Sequence, residues 1–283
     1  MEADARHQGR CEADPAAAPV PDFHFRVTPV RISTLQPRRS PDMNETLTLD
    51  VTVSYWDVDR DAKLLLPAVF KYLQEAAIKH ADQFDAGTRA IVTRGESWVL
   101  NRLAATIHRY PQYEEPLRVE TWSSGIRAFK GFRDFRVYCR DELVVSASSL
   151  WLYVDLKTKS LVRVPADIAA TFPSHAGAVF RPNLDRLRLA PPGGESRQTS
   201  SVSVRYSDID SNGHVNNTAY LDYLQTALAR RGLPLRPEHV EIQFLKEIPP
   251  DLDAVDVCLD TREQTVAFSI GGPAEVCALG QVS

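Results

Sequence analysis

Asp208, Asp210, Asn212 and His214 alternate through Asp208-Ile-Asp-Ser-Asn-Gly-His214, and Val215, Asn216, Asn217 and Thr218 come directly after. These residue types suit proton transfer and oxyanion binding. An imidazole takes or gives a proton near neutral pH, and a neighbouring carboxylate can orient it. A side-chain amide can donate to a developing oxyanion. The plainer reading is turn capping, because Asp and Asn side chains routinely accept from nearby backbone amides. Spacing alone leaves both readings open. The chain has no Gly-x-Ser-x-Gly elbow, no zinc-type Cys or His spacing and no Gly-rich phosphate loop. A serine or cysteine nucleophile is therefore disfavoured, and no metal or other cofactor is expected. Carboxylate, imidazole and amide are left to activate water.

Two elements must position this cluster. Val202, Val204 and Tyr206 alternate with polar residues and predict a strand before it. Tyr220, Tyr223, Leu224, Ala227 and Leu228 predict an amphipathic helix after it, closed by Gly232 and Pro234. Asn216, Asn217 and Thr218 can each accept from amides at that helix start. A strand-to-helix junction suits an anion, because the first helical amides lack partners and the dipole there is positive.

The pattern occurs twice. Moved by 151 positions, Val53 falls on Val204, Tyr55 on Tyr206, Asp57 on Asp208, Asp59 on Asp210 and Ala68 on Ala219. Tyr72-Leu73-Gln74 likewise falls on Tyr223-Leu224-Gln225. This ungapped match predicts two copies of one fold unit. The copies part at the chemistry: Asp61, Ala62 and Lys63 stand opposite Asn212, Gly213 and His214. The first half thus reads as scaffold or pocket and the second as the reactive half. A structural role for Asp208 is favoured, since Asp57 repeats it where Asn and His are missing.

The remaining sequence frames these units. Residues 1–42 are rich in Ala, Pro and Arg without a period and read as a disordered tail. Residues 45–56 predict a strand, and residues 64–84 a helix with Phe70, Leu73, Ala76 or Ala77, and His80 on one face. His80 reads as a helix-edge residue rather than a ligand. Strand-like segments come next at 97–110, 117–124, 131–139 and 144–154, an α+β pattern whose single helix must lie across a sheet. Pro165, Pro173, Pro182, Pro191, Pro192, Gly193 and Gly194 mark a linker with little regular structure. Further strands are expected at 239–248, 254–260, 265–270 and 275–282. The expected domains are 43–164 and 199–283, joined by a linker over 165–198.

Composition sets outer bounds. The 283 residues carry a net charge of −4, which points to neither nucleic acid nor an anionic membrane. No apolar run reaches about 18 residues, so no membrane insertion is expected. The N-terminus lacks an apolar signal core, and Glu2, Asp4, Glu12 and Asp14 argue against a transit peptide. Cys11, Cys139, Cys258 and Cys277 have no paired spacing, as expected of reduced thiols in a cytoplasmic setting.

Asp208-Ile-Asp-Ser-Asn-Gly-His-Val-Asn-Asn-Thr-Ala-Tyr220 resembles the active-site motif of the acyl-ACP thioesterases, the plant-type group and its bacterial relatives. The first half agrees in Leu73-Gln-Glu-Ala76, Lys79-His-Ala81, Tyr110-Pro111, Val119-Glu-Thr-Trp122 and Val164-Pro165. The likeness covers about residues 45–250. It implies two tandem hot-dog domains, each a long helix wrapped by a curved antiparallel sheet. It also implies hydrolysis of fatty acyl-acyl carrier protein to free fatty acid. The family's catalytic Asp, Asn and His fall on Asp210, Asn212 and His214. Its catalytic Glu falls on Glu247, within Ile242-Gln-Phe-Leu-Lys-Glu-Ile248. Plant members often carry Cys after that Glu; Ile248 stands here and removes a cysteine mechanism. The resemblance places the acyl pocket on the first helix near Phe70, Leu73 and Ala77. The acidic carrier protein calls for a basic patch. Candidates are Arg127, Lys130, Arg133 and Arg136, or Arg230, Arg231 and Arg236. Homodimerisation stays open. The competing readings are an acyl-CoA thioesterase, a non-catalytic acyl-binding hot-dog protein, and a hot-dog dehydratase or hydratase.

Overall fold

Leu66, Val69, Phe70, Leu73, Ala76, Ala77 and His80 recur at helical spacing, and all are buried. They form one face of helix α1 (Leu66–Asp82), which opens with Pro67, where a missing amide costs nothing. The equivalent helix α3 (Ala219–Arg230) buries Tyr220, Leu221, Tyr223, Leu224, Ala227 and Leu228. It ends in a Schellman motif. Gly232 has φ 66°, its amide donates to the Ala229 carbonyl, and the Leu233 amide donates to the Leu228 carbonyl.

The chain is described from a computed structural model, which covers residues 45–84, 94–172, 174–175, 179–194 and 196–283. The tail expected over 1–42 lies outside them. The strands of the first half are β1 (Thr46–Thr52), β2 (Glu96–Ile107), β3 (Pro116–Arg127), β4 (Lys130–Cys139) and β5 (Glu142–Asp155), with a short β6 (Ser160–Leu161) paired to β5. Those of the second are β7 (Gln198–Ser203), β8 (His239–Phe244), β9 (Ala254–Arg262), β10 (Thr265–Gly271) and β11 (Val276–Val282).

All belong to one antiparallel sheet, ordered β1-β3-β4-β5-β2-β8-β11-β10-β9-β7. The first five strands and the last five, read inward from the two edges, share the same plan. Each half is a helix lying across a five-stranded antiparallel sheet, the hot-dog arrangement. The halves join through β2 and β8, from Arg102 opposite Gln243 to Thr106 opposite His239. A bulge in β2 at Asn101 turns its side-chain amide onto the Phe244 carbonyl, 3.0 Å away. One apolar core runs through both halves, and residues 42–283 form a single compact unit.

Several expectations are corrected. The strand before the motif stops at Ser203, and Tyr206 does not continue its inward face but is 97% exposed. The cause is local: the Asp208 carboxylate takes the Arg205 amide and forces a 3-10 turn over Tyr206–Asp208. β8 stops at Phe244, because the amides of Leu245 and Lys246 both turn to the Cys277 carbonyl. The linker holds little regular structure. It carries a short helix α2 (Ala166–Thr171) and a 3-10 turn at Leu184–Arg186. The carbonyls of Leu184 and Asp185 accept from the buried Arg102, whose guanidinium needs acceptors away from water.

His80 is not at a helix edge. It is fully buried, 2.9 Å from the Arg133 guanidinium and edge-on to Phe84. Arg133 is itself 6% exposed, so it leaves the basic patch, and burial pushes its guanidinium down to about 9. Cys139, Cys258 and Cys277 are free thiols. Among the described residues, no helix is long and apolar enough to cross a membrane.

Candidate active site

The two turns between strand and helix share one backbone. In the first, the Asp59 amide donates to the Lys63 carbonyl, the Ala62 amide to the Asp59 carbonyl and the Leu65 amide to the Asp57 carbonyl. In the second, Asp210 donates to His214, Gly213 to Asp210 and Asn216 to Asp208. Val58 bridges Leu64 as Ile209 bridges Val215. Ala62 and Gly213 hold the same left-handed position, φ 57° and 80°. Only the second turn fills it with the residue that adopts it without strain. Asp57 and Asp208 do the same structural work. Tyr72 on α1 donates to Asp57 and Tyr223 on α3 to Asp208, each at 2.8 Å. Arg205 adds an ion pair to the buried Asp208. The sequence reading of Asp208 as structural agrees with these contacts.

The second carboxylates are used differently. Asp210 Oδ1 accepts from the Asn212 amide at 2.8 Å, and Oδ2 accepts from the Asn216 side chain at 3.2 Å. Asp59 repeats the first bond, to the Asp61 amide, but its Oδ2 is held by Arg236 from the other half at 2.5 Å. Arg236 also meets Asp61. Burial raises the Asp59 carboxyl, but Arg236 and the amides of Lys63 and Asp61 outweigh it and hold it below the usual range. Arg236 is thus a clamp on the first turn rather than an open docking cation.

His214 Nε2 lies 3.1 Å from Glu247 Oε2. The two side chains are 36% and 43% exposed, open enough to meet a ligand. Asp210, Asn212 and His214 therefore sit on one turn, and Glu247 reaches it from the segment after β8. Tyr220 fixes that segment. Its buried hydroxyl donates to the Lys246 carbonyl at 3.2 Å and accepts from the Ile248 amide at 3.1 Å, on either side of Glu247. The Cys277 thiol lies behind the Glu247 carbonyl at 3.8 Å. Asn212 is exposed. Of the three expected helix-start acceptors, Asn216 takes the Thr218 amide and hydroxyl, while the Thr218 side chain caps nothing.

A small cavity of about 20 Å³, room for about one water, lies between the halves. Phe70, Leu73 and Gln74 of α1, Leu100 and Leu103 of β2, Phe135, Trp151 and Phe244 line it, with Asn217 and Thr218 at the start of α3. Phe70 and Leu73 line it, but it is too small to hold an acyl chain as it stands. Ala77 does not line it; all three residues belong to the apolar core. His214 and Glu247 are outside the lining. The link runs through Phe244, whose ring meets Tyr220 edge-on at 5.2 Å. A second, open groove lies along α1 and α3, lined by Trp56, Lys71, Arg205, Asp210 and Asp222 among others. Burial raises the Asp222 carboxyl. Among the described residues, no His, Cys, Asp and Glu group could hold a metal ion.

Residues the sequence reading missed include Lys159 and the hydroxyl role of Tyr220. Lys159 Nζ lies 2.8 Å from Glu247 Oε2, although 88 positions separate them, and no local pattern announces it. Tyr220 had a signal, since a buried tyrosine hydroxyl normally seeks a partner.

The acyl-ACP thioesterase N-terminal domain model matches residues 45–172, and the model of the C-terminal domain matches residues 194–271. The chain belongs to the acyl-ACP thioesterase family. Similar members include the oleoyl-acyl carrier protein thioesterase of Coriandrum sativum, 24% identical over 72% of this chain and 59% of the relative. The dodecanoyl-[acyl-carrier-protein] hydrolase of Cinnamomum camphora is 27% identical over 60% of this chain and 47% of the relative. The chain thus spans about half the length of these thioesterases. The crystal structure of a putative oleoyl thioesterase from Lactobacillus plantarum has the same fold. Its TM-score is 0.73 at 22% identity, covering 84% of this chain and 94% of that one.

Proposed function

We propose that this chain hydrolyses fatty acyl thioesters carried on acyl carrier protein, releasing free fatty acid and the carrier thiol. The observation that carries the reading is the 3.1 Å contact of His214 with Glu247, on the one of two matched turns that has Asn and His. The acyl chain enters against Phe70 and Leu73, parting the side chains around the small cavity there, with its thioester towards the start of α3. Asn212 and the positive end of α3 stabilise the oxyanion. Glu247 takes a proton from water as the water oxygen bonds to the carbonyl carbon. The tetrahedral intermediate then expels the thiolate, and a proton passes through His214 to the leaving sulfur. Asp210 fixes the turn that carries Asn212 and His214. Direct attack by the Glu247 carboxylate, through an anhydride that water then opens, uses the same groups.

The carrier is the partner of this reading. Arg127, Arg230 and Arg231 are the exposed members of the candidate patch and form the docking set, though Arg127 lies 3.9 Å from Asp185 and over Phe132, and Arg230 and Arg231 also donate to the Ser201 and Thr199 carbonyls. Lys130 is paired with Asp185, and Arg136 stacks over Trp122 and Phe180. The cytoplasm is the proposed setting, as the free thiols suit a reducing compartment. The test is a hydrolysis panel over acyl-ACP and acyl-CoA chain lengths, with Asn212→Ala, His214→Ala and Glu247→Ala alongside. Loss of turnover in all three folded variants is expected, and near-normal rates in all three overturn the assignment. Equal or faster turnover of acyl-CoA overturns the choice of carrier.

A further inference from the structure

The Glu247 carboxylate is held from both halves of the molecule. His214 reaches Oε2 from the second half at 3.1 Å, and Lys159 reaches the same oxygen from the first at 2.8 Å. Lys159 sits in the hairpin between β5 and β6, where Val154 pairs with Leu161 and Asp155 with Ser160. That hairpin is tied internally. Asp155 Oδ1 accepts from the Thr158 amide at 2.7 Å and from its hydroxyl at 2.9 Å, and the hydroxyl also meets Ser160. Lys159 itself has φ 54°, a left-handed position that glycine or asparagine fills with less strain. A lysine is kept there, and its ammonium points across the join between the halves.

We propose that Lys159 is a positioning residue for the hydrolysis proposed above. Together with His214 it holds Glu247 Oε2, so that Oε1 is the oxygen that meets water or the thioester carbon. The first half then supplies more than an acyl pocket. Two donors on one oxygen restrict rotation of the carboxylate. The charged and titratable groups around Glu247 are His214 and Lys159 at the carboxylate, Tyr220 and Cys277 behind its backbone, and the Lys246–Glu275 pair one residue back.

The test is steady-state hydrolysis of acyl-ACP by the wild type, Lys159→Met, Lys159→Arg and Glu247→Gln. Lys159→Met should lower kcat about tenfold with little change in KM, since the contact orients a reacting group rather than substrate. Lys159→Arg should restore most of the rate. An unchanged kcat in Lys159→Met overturns the proposal, as does a rise in KM alone, which would make Lys159 a carrier contact. If the wild type is active, Glu247→Gln silent and Lys159→Met normal, only the role of Lys159 falls. A wild type with no turnover of acyl-ACP overturns both this proposal and the reading it rests on.

Discussion

The turn from Asp57 to Leu65 and the turn from Asp208 to Asn216 keep the same backbone hydrogen bonds, the same tyrosine-to-aspartate bond and the same left-handed residue. They differ in the group that meets the second aspartate and in the side chains two and four positions beyond it. In the first turn, Arg236 closes on Asp59 and Asp61. In the second, Asn216 takes the equivalent oxygen from within the turn, and His214 is left facing Glu247. The difference teaches that this junction is a scaffold first. The proposed chemistry needs an imidazole with a carboxylate in reach and no clamp over the turn.

The sharpest way to break the comparison is to remove the carboxylate that only one turn meets. Glu247→Gln should lower kcat on acyl-ACP by about 10³, the scale for losing a general base. Asp61→Asn in the first turn should leave it within about twofold, because surface changes away from a site are nearly neutral. Steady-state rates on one acyl-ACP decide both.

A graft sharpens it further. Asp61→Asn and Lys63→His, placed together in a His214→Ala background, should restore no turnover, since the recorded partners of Glu247 lie at Lys159 and His214. Recovery to even a hundredth of the wild-type rate would mean that the motif residues alone make the site.

The shared aspartates should differ in stability rather than in rate. Asp208 is almost fully buried under Arg205 and Tyr223, while Asp57 is only partly buried. Asp208→Ala should cost about 2–4 kcal/mol and Asp57→Ala about 1–2, read from urea unfolding, because a buried donor left unpaired carries its full desolvation penalty.

The smallest effect concerns the clamp. Arg236→Met should cost about 1–2 kcal/mol at neutral pH, discounted for the exposure of the arginine. Arg236 helps to hold the Asp59 carboxyl below 3.8, so its contribution is full above the unfolded value and is lost as pH falls through the folded one. The stability gap between wild type and Arg236→Met should therefore close below about pH 4 in a series of melts. A gap that persists at acid pH would deny the ion pair its role.

Much of this was legible in sequence for a physical reason. Alternation and helical spacing are local, so β1 to β5, α1 and α3 were readable to within a few residues, and the 151-residue shift exposed the duplication directly. A helix face repeats, so Phe70, Leu73 and Ala77 were readable as one buried face, while which of them border the small cavity was not. The hidden part depends on tertiary approach. His80 and Arg133 look like surface residues until α1 crosses β4, and Arg236 looks like a docking cation until it meets Asp59. Lys159 touches Glu247 only because the halves share a sheet. Tyr206 shows the opposite failure: alternation predicted an inward tyrosine, and the Asp208 cap turned it out.

Equivalent positions give the most direct test of the account: kcat/KM on acyl-ACP for His214→Ala beside Lys63→Ala, both checked for folding. The account predicts a fall of at least about 10² for the first and less than about twofold for the second. Equal effects from the two, or a normal rate in His214→Ala, would contradict it.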